Sequence, residues 1–94
     1  MIGEFVLVRT YSAGVHCGIL RAIDQTAMEL AVARRIHRWR GANTLHEMAR
    51  HGCSLVDHTR ISEPVDRILL TQAIEVIPCT AEAQANLERS RWLD

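Results

Sequence analysis

Hydrophobic and polar positions along the chain alternate between short β-like runs and capped helical stretches. Glu4 to Thr10 reads Glu-Phe-Val-Leu-Val-Arg-Thr, a β-branched and aromatic run suited to a strand. Tyr11-Ser12-Ala13-Gly14 interrupts it with turn chemistry, and Gly14 is free to take a positive φ. Val15 to Ile23 resumes with apolar and small residues, so the pattern predicts a β-hairpin with Arg9 and His16 on its shoulders.

Residues 26–40 fit two periods. Met28, Val32, Ile36 and Trp39 recur at helical spacing, whereas Met28, Leu30, Val32 and Ile36 fit a two-residue period after a possible turn at Asp24-Gln25. The pattern alone leans towards helix. Gly41-Ala42-Asn43 stops this element, and Thr44 with Glu47 forms a Ser/Thr-x-x-Glu capping box that starts a helix ended by Gly52. In that helix Leu45, Met48 and Ala49 form the buried face, while His46 and Arg50 lie outside. Ser54 to Ile61 reads as an irregular or edge strand. Arg67–Leu70 and Ala73–Ile77 read as strands separated by Thr71-Gln72, with Pro78 closing the run. Thr80 caps a final helix with Glu82 in its first turn. Trp92, in the tail, is expected to pack on the domain or on a neighbouring subunit.

The 94 residues, 48% of them hydrophobic, suffice for one domain over 1–94 with a single small core. They exclude intrinsic disorder and offer no run of the ~18 apolar residues that a membrane helix needs. The first residues lack the basic and apolar segments of a signal peptide, so the expectation is an intracellular protein. All 11 basic residues are Arg, balanced by 11 acids, but the balance is uneven. Residues 1–60 carry eight Arg against five acids, residues 61–94 three against six, and four Arg with no acid lie between Glu29 and Glu47. That is a local anion-attracting field inside a neutral protein, unlike the overall basicity of a nucleic-acid binder.

The cysteines (Cys17, Cys53, Cys79) and the five histidines lack metal-ligand spacing, so neither a metal site nor a disulfide framework is expected. Buried or half-buried reduced thiols are the default. Gly-x-Ser-x-Gly, the phosphate-cradling Gly-x-x-x-x-Gly-Lys loop and His-Glu-x-x-His are absent. His16 and Cys17 are neighbours on a strand and point to opposite faces, the wrong geometry for a base and its nucleophile. Catalysis is therefore not expected, although His16 and His58 keep a small hydrolase as a rival reading. Instead, the chain holds residues suited to an anionic, aromatic ligand. Arg34, Arg35, Arg38 and Arg40 surround Trp39; Tyr11 crowns the hairpin beside Arg9; and Gly41-Ala42-Asn43-Thr44 leads into a helix amino terminus. A solvated Arg face and a core-anchoring Trp39 are the plain alternatives.

These residues resemble a family of small phage and prophage proteins. The matching segments are Val8-Arg9-Thr10-Tyr11-Ser12-Ala13-Gly14-Val15-His16, Gly18-Ile19-Leu20, Ala33-Arg34-Arg35-Ile36 with Trp39, and Gly41-Ala42-Asn43-Thr44-Leu45. Glu47-Met48-Ala49 with Gly52, Arg60-Ile61-Ser62 and Ala73-Ile74-Glu75-Val76-Ile77-Pro78-Cys79 complete the match, which spans most of residues 4–80. The chain departs from the pattern at His37, where the family usually has an aromatic residue, and near Arg38 and Arg40, often aromatic or Lys. The resemblance implies an α+β fold with a small antiparallel sheet, partly barrel-like, and one or two short helices. It makes residues 26–33 a strand.

The family in turn is similar to anti-CBASS sponges, which sequester cyclic di- or oligonucleotide signals in multi-subunit assemblies without cleaving them. That resemblance implies a cytoplasmic protein of the infected host, with no cofactor, DNA or RNA polymer as partner. On this reading Tyr11 and Trp39 stack bases, and Arg9, Arg35 and Arg60 hold phosphates. Thr10, Ser12, Asn43 and Ser62 read sugar or base edges, with His16 beside them. So small a domain has little room for a deep pocket, so a homo-oligomer, a tetramer or another multiple of a dimer, is expected to enclose the ligand. Cyclic ADP-ribose-type signals carry the same chemistry, and an Arg-rich face that inhibits a host protein is the alternative from another class.

Overall fold

The computed structural model describes residues 1–90, so Arg91 and Trp92 lie outside the described residues. Its elements follow the order β1 (Phe5–Thr10), β2 (Val15–Asp24), β3 (Ala27–Arg38), α1 (Leu45–His51), β4 (Arg60–Ile61), β5 (Val65–Leu70), β6 (Ala73–Pro78) and α2 (Ala81–Arg89). A single 3₁₀ turn, Val56–His58, leads into β4. The fold is α+β: one antiparallel sheet of six strands and two helices. No described helix is long and apolar enough to cross a membrane.

The strands run β4–β3–β2–β1–β6, and β5 occupies the same edge of β3 as β4, further along it. β1 sits between β2 and β6, with each of its faces turned to a different core. Phe5 and Leu7 face the helices together with Cys17, Ile36, Met48, Ile61 and Leu87. Val6 and Val8 face the side away from the helices, with Leu20, Met28, Leu30, Ala33, Leu70 and Ala73. A strand buried on both faces loses the polar alternation of a half-exposed one, and Phe-Val-Leu-Val shows that loss.

The stretch that fits two periods is a strand of 12 residues, so it extends well past residue 33. Its buried positions explain why a helical period fits it. Met28 and Leu30 are two apart, but Val32 takes a positive φ of 48° and is 57% exposed, and burial resumes at Ala33 and Ile36. The extra residue at this bulge turns a two-residue period into one that imitates a helix.

The long β2–β3 ladder carries two register shifts, between Cys17 and Ile19 and between Leu20 and Ala22, and curls strongly. The curl brings three turns together. The Ala73 amide donates to the Thr26 carbonyl at 3.0 Å, and the Tyr11 amide to the Gln72 carbonyl at 2.9 Å. The Thr26 hydroxyl donates to the Thr71 carbonyl at 3.1 Å. The two-residue connection Thr71-Gln72 is thus clasped by both hairpin tips. β5 and β6, which it joins, do not pair with each other. The expected barrel-like closure is therefore corrected to a curled, open sheet.

Both helices cover the face that carries Phe5 and Leu7, and their caps are those the sequence predicts. Glu47 N–H donates to the Thr44 hydroxyl at 3.1 Å, and Ala83 N–H to the Thr80 hydroxyl at 3.1 Å. The return bond of the capping box differs by one residue: the Glu47 carboxylate accepts from Asn43 N–H at 3.3 Å. Gly52 ends α1 at φ 77°, packed so closely on Asn86 that a β-carbon would overlap that side chain. Asn86 in turn holds Cys53 from both sides, accepting from its N–H and donating to its carbonyl, each at 2.8 Å.

α2 is tied to the sheet by Arg34. Its guanidinium donates to the carbonyls of Ser62 (2.7 Å), Leu87 (3.2 Å), Ile61 (3.3 Å) and Ser90 (2.6 Å). Two of these lie at the carboxyl end of α2, where a cation also meets the negative end of the helix dipole. Arg34→Ala is expected to lower unfolding stability by about 1.5–3 kcal/mol, as charge-assisted bonds to buried carbonyls do. Arg34→Lys should restore only a minor part, because an ammonium cannot span four carbonyls arranged in a fork. Urea unfolding of both variants checks this.

Candidate functional site

The β1–β2 turn is rigid because it is bonded within itself. Thr10 N–H and its hydroxyl both donate to the Gly14 carbonyl, at 3.0 and 2.8 Å, and Ala13 N–H donates to the same hydroxyl at 2.8 Å. Beneath the turn His16, 1% exposed, donates from Nε2 to the Ala13 carbonyl at 2.9 Å. Burial pushes the imidazole below its ordinary pKa; the bond to Ala13 works against this, and the nearby Arg35 guanidinium adds to it. The hydroxyl of Thr10 and the ring of His16 are thus both hydrogen-bonded within the turn. Ser12 donates to the Gln72 side chain at 2.8 Å. Tyr11, between these anchored neighbours, is 78% exposed, so its ring is no part of the core.

Next to this turn lies a groove of about 220 Å³, lined by Thr10, Ser12 and Ala13, by Arg35 from β3, and by residues 68–72. Arg35 reaches it because β2 and β3 pair His16 with Arg35. Among the described residues it is the only charged one lining the groove, and it makes no ion pair with any of them. Ser62 sits beside it through the backbone. The Ser62 hydroxyl accepts from Arg35 N–H at 2.9 Å, and Ser62 N–H donates to the Arg35 carbonyl at 2.9 Å.

The ten residues expected at the site therefore separate. Thr10, Ser12 and Arg35 line the groove, Tyr11 stands between the first two, His16 underlies them, and Ser62 flanks Arg35. The other four lie elsewhere. Arg9 pairs with Glu75 at 3.2 Å. Trp39 packs on the helix-side core with Ala42 and Leu45, so its half-buried ring acts as an anchor. Asn43 is exposed before α1. Arg60 lies opposite Arg38 on β4. Of the Arg run, Arg34 belongs to the scaffold. The sequence reading missed Leu69, Thr71 and Gln72 as groove residues. Thr71-Gln72 carried a signal, polar residues between two apolar runs, but only the curl of the sheet brings them to the hairpin.

The thiols offer no nucleophile here. Cys17 and Cys53 are buried and Cys79 half-buried, as expected, and burial pushes Cys17 and Cys79 up to about 12. A larger depression of about 590 Å³ lies between the helices, lined by Glu47, His51, Glu82 and Arg89 among others. Its charges are mixed, and His51 already faces Glu82 at 3.5 Å. The groove at Arg35 is the one whose charge selects for an anion.

Because folded His16 takes up a proton less readily than the unfolded imidazole, its contribution to stability is complete above pH 6.5. It declines as the pH falls through 6.5 towards the lower folded value. The slope should approach 1.4 kcal/mol per pH unit at most, roughly that of one proton. Urea titrations between pH 5 and 7.5 are expected to show this slope in the native chain and a flatter profile in His16→Gln.

Residues 3–87 match the family described as Domain of unknown function (DUF6948). No curated protein and no solved structure matches the chain. The match covers most of the chain, which belongs to this family.

Proposed function

We propose that this DUF6948 protein binds a small phosphate-bearing ligand, of the cyclic di- or oligonucleotide class, in the groove beside Tyr11 and holds it without cleaving it. In that role it is a phage-encoded sponge that removes an immune signal from the cytoplasm of the infected cell. The observation that carries the reading is the pairing of one guanidinium, Arg35, that makes no ion pair among the described residues, with an exposed aromatic ring on an internally bonded turn. Arg35 suits a phosphate, and the face of Tyr11 suits a base. Ser12, Thr71 and Gln72 offer polar groups for a sugar or a base edge. The resemblance of Arg9 to His16 and of Ala33 to Ile36 to phage proteins points the same way, since those segments build the groove.

At about 220 Å³ the groove falls short of the ~300–1,000 Å³ that small-molecule sites usually enclose. A second copy closing over it is the simplest way to bury a dinucleotide.

Calorimetry against cyclic dinucleotides, cyclic oligonucleotides and cyclic ADP-ribose isomers tests the reading and separates the two signal classes. Arg35→Ala is expected to weaken binding by about 1.5–3 kcal/mol. Tyr11→Ala should remove ~1–3 kcal/mol of stacking while the melting temperature of the free protein stays put. Arg9→Ala, whose partner is Glu75, should bind normally. Heating the complex should release the ligand intact. Cleaved product, or undiminished binding in both the Arg35 and Tyr11 variants, would sink the proposal.

A further inference from the structure

Gln72 is held at both ends by the turn that carries Tyr11. Its carbonyl accepts from Tyr11 N–H at 2.9 Å, and its side-chain Oε1 accepts from the Ser12 hydroxyl at 2.8 Å. Its chain neighbours are tied as well. Ala73 N–H donates to the Thr26 carbonyl at 3.0 Å, and the Thr71 carbonyl accepts from the Thr26 hydroxyl at 3.1 Å. Ser12 and Gln72 both line the groove with Arg35, so an amide anchored in this way stands oriented before any ligand arrives. What it can still offer follows from its inventory. A Gln side chain has one acceptor oxygen and an NH₂ group with two donors. Ser12 engages the oxygen, whereas Nε2 has no hydrogen-bond partner among the described residues. The amide therefore meets a ligand as a donor.

From this we infer that Gln72, set by Ser12, is the residue that selects the base, and that the groove prefers guanine to adenine. The inference rests on the nucleotide reading of the groove and names the member of that class it takes. Guanine presents two adjacent acceptors, O6 and N7, whereas adenine presents the donor N6–H₂ beside N7. A Gln amide with both ends available pairs with adenine, its oxygen taking an N6 hydrogen while its nitrogen gives to N7. Here Ser12 already occupies the oxygen. An adenine on this amide sets its amino group against the Nε2 hydrogens, donor to donor. Guanine in the same place gives each N–H an acceptor. The difference counts because donors brought together lose water without gaining a bond, and a site built to donate rejects the ligand that cannot accept.

Calorimetry of the full chain with cyclic di-guanylate and cyclic di-adenylate decides the matter, because the two share a sugar–phosphate ring and differ only in the base. The native chain should bind the guanine ligand about tenfold more tightly or better. Gln72→Met keeps the length of the side chain without its donors and should bring the two affinities within about threefold of each other. Ser12→Ala releases Oε1 and should tighten the adenine ligand in particular, narrowing the ratio. Both side chains are exposed, so melting curves should confirm that the variants remain folded. A native chain that binds both ligands equally or prefers adenine overturns the inference and leaves the nucleotide reading standing. A guanine preference that survives Gln72→Met does the same. Where neither ligand binds, the inference fails; the nucleotide reading fails with it only if cyclic oligonucleotides and cyclic ADP-ribose isomers are also refused.

Discussion

A single guanidinium holds the two halves of this fold together. Arg34 leaves the helix-side face of β3 and, among the described residues, forms no ion pair; instead it donates to four backbone carbonyls, one at the end of β4, one just after it, and two from the end of α2. A partly buried cation is costly unless its donors are satisfied, and here the fork geometry satisfies them with groups that are themselves left over at the ends of their elements. The arrangement fixes where α2 lies on the sheet. It also brings Ser62 beside β3, where the Ser62 hydroxyl takes the amide of the next residue, Arg35. The pinned arginine and the groove-lining one are neighbours in sequence and point to opposite faces, so the scaffold role of the first sets the direction of the second.

The caps show what local chemistry can convey. Thr44, Gly52 and Thr80 act within a few residues of themselves, and each does in the structure what its type and spacing imply. The same holds for the hairpin at Tyr11–Gly14, for the exposed ring of Tyr11 and for the burial of the thiols. The period of β3 misled because the bulge at Val32 depends on how far β2 and β3 curl together, which is a property of the pair. The fate of the arginines was equally hidden. Four in seven positions look alike in sequence, yet one is consumed by α2 more than 50 residues away and one lines a groove completed from residues 68–72. Trp39 and Asn43 were drawn into the expected site by proximity in sequence to Arg residues, whereas the strand carries them towards α1.

The turn at the groove and the edge at β5 use backbone in opposite ways. At the turn, Thr10, Ala13, Gly14 and His16 bond among themselves, so Tyr11 is presented on a frame that needs no further ordering. At β5, among the described residues, only β3 pairs with the strand, so its other side ends the sheet. One is a finished surface and the other an unfinished one.

The place of β1 in the sheet has a consequence for the order in which the molecule can be assembled. Its partners are β2, next in sequence, and β6, whose register joins Val6 to Pro78. While the chain emerges from the ribosome, the first hairpin can form early, but one side of its most buried strand waits until residues 73–78 have followed. Closing so long a loop is the slow, entropically costly step of a fold built this way. Until then the apolar rows of β1 stand open, and that nascent interval, more than any state of the finished protein, is when this chain is exposed to mispairing.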